Sequence, residues 1–72
     1  MLKRSITLKG HHTSIALEEE FWTKLDSLAT TAGRTLPELI SDIDRRRLKS
    51  SPPPGLASAL RVFVLKSLAK GD

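Results

Sequence analysis

The chain has no cysteine, only three aromatic residues and no apolar run approaching the roughly 20 residues of a membrane span. Without cysteine there is no disulfide, and no Cys/His cluster has zinc spacing, so both devices that staple small extracellular domains are missing. A chain of 72 residues buries too little apolar surface to be comfortably stable by itself. Oligomerisation is therefore the expected source of the missing stability. Met1 to Gly10 lacks the continuous apolar stretch of a signal peptide, and the want of cysteine fits a reducing compartment, so the expected location is the cytoplasm. Catalysis is not expected either. There is no Gly-rich phosphate loop, no paired carboxylates in a plausible cleft and too little chain to form a pocket, and nothing implies a cofactor.

What the chain does have is positive charge. Twelve Lys and Arg stand against eight Asp and Glu, a formal net charge of +4 that suits a polyanionic partner such as nucleic acid. Residues 1–11 read as a basic arm or a short extra strand, with Ile6 and Leu8 alternating before Gly10. Thr13, Ile15 and Leu17 then alternate with His12, Ser14 and Ala16, the period of a strand with one apolar face and one small or polar face.

Glu18, Glu19 and Glu20 put three carboxylates where a helix start carries partial positive charge, a placement that needs no catalytic explanation. Phe21, Leu25, Leu28, Ala29 and Ala32 follow at helical spacing, and Gly33 stands where a helix end needs a left-handed residue. Thr35-Leu36-Pro37-Glu38 reads as a capping box opening a second helix, whose stripe is Leu36, Leu39, Ile40 and Ile43 and whose end lies near Arg47. Three consecutive prolines within 49–55 make a stiff connector. Residues 56–70 form a third helix, apolar over most of its circumference, which needs cover from several sides. Domain by domain, the chain divides into 1–11, a core at 12–48, the linker at 49–55 and the C-terminal helix at 56–70.

A single strand leaves a row of amides and carbonyls without partners. The economical remedy is the same strand of a second copy, giving an antiparallel ribbon with Thr13, Ile15 and Leu17 facing the helices and His12, Ser14 and Ala16 outward. Such a ribbon fits the major groove of B-DNA. From about Gly10 to Arg47 the order of strand, acidic helix start, Phe21-x3-Leu25-x2-Leu28-Ala29-x3-Gly33-x-Thr35-x3-Leu39-Ile40 resembles the ribbon-helix-helix family. The later LASALRVFVL is similar to a bacterial branch carrying an appended C-terminal helix.

The resemblance implies a mainly α fold with one short β-strand paired across a homodimer, and a DNA-binding regulator, a repressor. It implies base contacts from His12, Ser14 and Ala16, and phosphate contacts from Arg34, Thr35 and Leu36 at the second helix start and from Lys3, Arg4 and Lys9 in the arm. It implies a dimer core of Thr13, Ile15, Leu17, Phe21, Trp22, Leu25, Leu28, Leu39, Ile40 and Ile43, with dimers pairing on adjacent half-sites. Several residues also have plainer readings. His11 and His12 point to opposite faces of a strand with no third ligand nearby, so no metal is expected there. Arg45, Arg46 and Arg47 suit a helix C-terminus without any ligand. A protein partner for residues 56–70, as in antitoxins of this fold, is the alternative function.

Overall fold

A computed structural model describes residues 1–70. Two antiparallel strands come first, β1 (Leu2–Leu8) and β2 (His11–Leu17), followed by three helices, α1 (Glu19–Thr31), α2 (Leu36–Arg47) and α3 (Leu56–Ala69). The mainly helical character agrees with expectation, but the strand count does not. The core strand was expected to find its partner in a second copy, with residues 1–11 either a basic arm or a short extra strand; the extra strand is present and pairs with the core strand within the chain. β1 pairs with β2 along its whole length, from Leu2 opposite Leu17 to Leu8 opposite His11. The physical reason lies in the turn. Lys9 and Gly10 join the strands with φ of 52° and 81°, and positive φ at both positions is what the type I′ two-residue loop needs for its twist to match the strands. Glycine takes that conformation freely, and Lys9 bears a modest strain.

Alternation gives the hairpin two faces. Ile6, Ile15 and Leu17 turn inward and are buried, with Leu8 and Thr13 half-buried beside them. Arg4 also turns inward, at a position where the alternation of β1 leads one to expect an apolar residue. Its guanidinium lies 4.7 Å from the centre of the Trp22 ring and pairs with Asp26 of α1 at 3.2 Å. Trp22 itself has no exposed surface, and its indole N–H donates to the Leu2 carbonyl at 2.9 Å. These contacts clip the open end of the hairpin onto α1.

The turns between helices follow from local chemistry. Gly33 ends α1 at φ 68°, with Arg34 N–H donating to the Ala29 carbonyl and Gly33 N–H to the Thr30 carbonyl, which satisfies two carbonyls the helix end leaves over. Between α2 and α3, Arg47 binds Asp44 at 2.7 Å and the Pro54 carbonyl at 3.0 Å, tying the proline connector back to the helix it leaves. Under the hairpin the three helices close one apolar core. It joins Ile6, Ile15 and Leu17 to Trp22, Leu25 and Ala29 of α1, Leu39, Ile40 and Ile43 of α2, and Leu60 and Val64 of α3. Phe21 and Leu28 pack at its margin, half-buried.

Candidate nucleic-acid interface

The face of the hairpin turned away from the core carries three cross-strand pairs: Lys3 opposite Ala16, Ser5 opposite Ser14 and Thr7 opposite His12. Five of these six residues are exposed and Ala16 is half-buried. Two strands about 4.8 Å apart and seven residues long present a strip roughly 20 Å in length. That width and pleat match what the major groove of B-DNA admits. The first carboxylate in the sequence is Glu18, so every charged side chain of the hairpin is basic.

Thr7 Oγ1 and His12 Nδ1 lie 3.0 Å apart, a hydrogen bond whose donor follows the histidine tautomer. Thr7 thereby fixes the ring across the strands and leaves Nε2 for an outside partner. Ser5 and Thr7 were not among the residues the sequence singled out. The period-2 run Lys3, Ser5, Thr7 was the signal that would have found them.

The basic residues of the first ten positions divide. Lys3 stands exposed on the outward face and Lys9 exposed in the turn. Arg4 is on the other face, held by Trp22 and Asp26, so the structure does not bring it together with Lys3.

At the start of α2 the expected capping box is complete. Glu38 N–H donates to Thr35 Oγ1 at 3.2 Å, and Thr35 N–H donates to Glu38 Oε1 at 2.8 Å. Pro37 has no amide hydrogen, which leaves the Leu36 amide as the helix-start donor without an acceptor among the described residues. Arg34 wraps the same turn, donating to the Glu38 carbonyl at 3.1 Å. The helix start thus offers an anion one amide and one guanidinium, beside a carboxylate that already occupies part of the positive end.

The hydrogen bond from the Thr35 backbone, and then that with its side chain, hold the Glu38 carboxyl below its ordinary range. A carboxylate depressed on folding stabilises above its unfolded value, and that contribution is lost as pH falls through the folded one. Glu38→Gln is therefore expected to melt lower than the natural chain at neutral pH, and the two melting temperatures to converge in acid. Circular dichroism melts across pH check this, and a gap unchanged by pH would refute it.

Three guanidiniums converge on the buried Asp42: Arg46 at 2.8 Å, Arg34 at 3.8 Å and Arg45 in direct contact. Arg47 is engaged by Asp44. The arginines at the end of α2 therefore have internal partners, whatever else they touch. Of the apolar residues the sequence assigned to a dimer core, Ile15, Leu17, Trp22, Leu25, Leu39, Ile40 and Ile43 are buried within one chain.

The sequence model of a family described as "ribbon-helix-helix domain" matches residues 1–68. No curated protein and no solved structure matches the chain. Among the described residues, no helix is long and apolar enough to cross a membrane.

Proposed function

Because the chain belongs to the ribbon-helix-helix domain family, whose members generally bind DNA, we propose that it binds double-stranded DNA with the outward face of the β1–β2 hairpin in the major groove. It acts there as a sequence-specific transcriptional repressor. The observation that carries this reading is the hairpin itself: a two-stranded ribbon, acid-free, whose outward residues are free of the core.

Each outward residue has a part in groove reading. Lys3 is long enough to reach guanine O6 and N7, while Ser5, Ser14 and Thr7 give or accept single hydrogen bonds at close range. His12 presents Nε2, and Ala16 makes apolar contact of the kind a thymine methyl offers. Lys9, Arg34 and the Leu36 amide hold phosphates and set the register without reading sequence. Members of the family typically bind DNA as dimers, and this protein works as a homodimer, two of which occupy adjacent half-sites.

Binding of a fluorescent duplex library at several salt concentrations tests the reading. Two cationic side chains on phosphate per copy, Lys9 and Arg34, predict that log affinity falls against log salt with a slope of about −4 for a dimer. Selection of a short palindromic or repeated site supports the proposal. Failure to bind any duplex at low salt defeats it.

A further inference from the structure

We propose that the cleft between the three helices binds a small phosphate-bearing molecule with an aromatic body, the class of a nucleoside diphosphate. The cleft offers about 580 Å³, within the roughly 300–1,000 Å³ typical of ligand sites. Every helix brings a cation to it: Lys24 from α1, Arg46 from α2 and Lys70 from the end of α3, joined by Arg34 from the turn before α2. Among the described residues, Asp42 is the one carboxylate in its wall. No residue of the hairpin lines it, so it stands apart from the face assigned above to the DNA groove.

Two polar side chains are buried among the described residues, Asp42 at 7% exposure and Ser67 at 8%, and both belong to this wall. A carboxylate taken out of water stays charged only beside groups of opposite sign. Asp42 has three: Arg46 at 2.8 Å, Arg34 at 3.8 Å and Arg45 in direct contact. One guanidinium would balance it, so the cluster holds positive charge in excess. Lys24 and Lys70 add to that excess, with no ion-pair partner among the described residues. Like charges gathered in this way repel, and a bound phosphate relieves the repulsion. Asp42 also places the guanidiniums in advance. Arg34 and Arg46 reach it while remaining 38% and 65% exposed, which leaves donors on each for the paired hydrogen bonds that phosphate accepts. A phosphate group alone does not fill the cleft. Phe63, Leu28 and Leu39 make an apolar part of its wall, and the Phe63 ring offers a face on which a planar body stacks.

Arg34 gives the site a consequence for DNA binding. It lines the cleft and also flanks the start of α2, where it is assigned above to a DNA phosphate. A ligand that engages its guanidinium in the cleft takes that contact from the duplex, so the ligand lowers affinity for DNA. This regulatory step rests on the groove-reading proposal; the site itself does not.

Isothermal titration calorimetry of the full chain without DNA tests the site, with ADP and inorganic pyrophosphate as probes. ADP is expected to bind, and pyrophosphate to bind about tenfold more weakly for want of the aromatic body. Lys24→Ala/Lys70→Ala is expected to weaken ADP binding by about tenfold while melting like the natural chain. Lys3→Ala/Lys49→Ala loses the same charge outside the cleft and should bind ADP within about twofold of the natural chain. A natural chain that binds neither probe, or equal losses in the two double variants, overturns the proposal. Pyrophosphate binding as tightly as ADP overturns the aromatic body. Anisotropy titration with a selected duplex tests the regulatory step. ADP should weaken duplex binding by the natural chain and leave that of Lys24→Ala/Lys70→Ala unchanged; no effect on the natural chain overturns the step. If Lys24→Ala/Lys70→Ala itself loses duplex affinity by as much as it loses ADP affinity, the cleft holds DNA phosphate and the proposal fails. Because the calorimetry contains no DNA, a chain that binds ADP but no duplex defeats the groove-reading proposal and not this site.

Discussion

Changing Ser14→Glu and Ala16→Glu together is expected to weaken duplex binding by roughly 100-fold or more, about 2.8 kcal/mol, because two carboxylates then face the negative groove. The effect on folding should be small. Ser14 is exposed, Ala16 is half-buried on the same outward face, and the carboxylate introduced at position 16 stands opposite Lys3 across the strands. Opposite charges paired in that way contribute a few tenths of a kcal/mol in favour of the sheet. The carboxylate also engages the one outward lysine long enough to reach a base. Fluorescence anisotropy with a selected duplex measures the loss, and a melting curve confirms the fold. Binding as tight as that of the natural chain would remove the hairpin as the reading head.

The second large effect concerns stability. Trp22→Ala removes the largest of the side chains with no exposed surface, and truncating a buried aromatic residue of this kind costs about 3–5 kcal/mol. A domain of this length holds only about 4–11 kcal/mol in total, so the variant is expected to be unfolded or close to it at room temperature. More than packing is lost. The indole N–H leaves the Leu2 carbonyl without its donor, and Arg4 loses the ring beneath its guanidinium. The hairpin then loosens at the end where it meets α1. Urea unfolding followed by circular dichroism checks this, and a loss below about 1 kcal/mol would show that the hairpin is held by something else.

The parts of the fold governed by local chemistry were legible in the sequence, and those governed by tertiary contacts were not. Thr35, Pro37 and Glu38 encode their capping box within four positions, and Gly33 announces the left-handed end of α1, so the boundaries of α2 and the turn before it were readable. β1 was obscured by Arg4. That residue breaks the apolar alternation of Leu2, Ile6 and Leu8, and it is accommodated inside only by Trp22 and Asp26, 18 and 22 positions away. The turn was obscured as well, since Lys9 lacks the Asn or Asp that usually precedes glycine in such a loop. Residues 1–11 read as an arm or a short extra strand with no visible pairing, so β2 was left needing a partner from another chain, and Ser5 and Thr7 went unnoticed on the outward face of β1. The nearly uniform apolarity of α3 signalled that cover was needed on more than one side. Only the fold shows that Leu60 and Val64 find it internally while Leu65 and Leu68 do not.

The central claim, that the chain's own hairpin is its DNA-reading surface, is tested most directly by backbone amide spectra of the labelled protein during titration with a selected duplex. The largest shifts are expected at residues 3–7 and 12–16, with smaller ones at Lys9, Arg34 and Leu36, and little change along the exposed side of α3. Shifts concentrated on α3 or on the end of α2, with the hairpin amides unmoved, would contradict the claim.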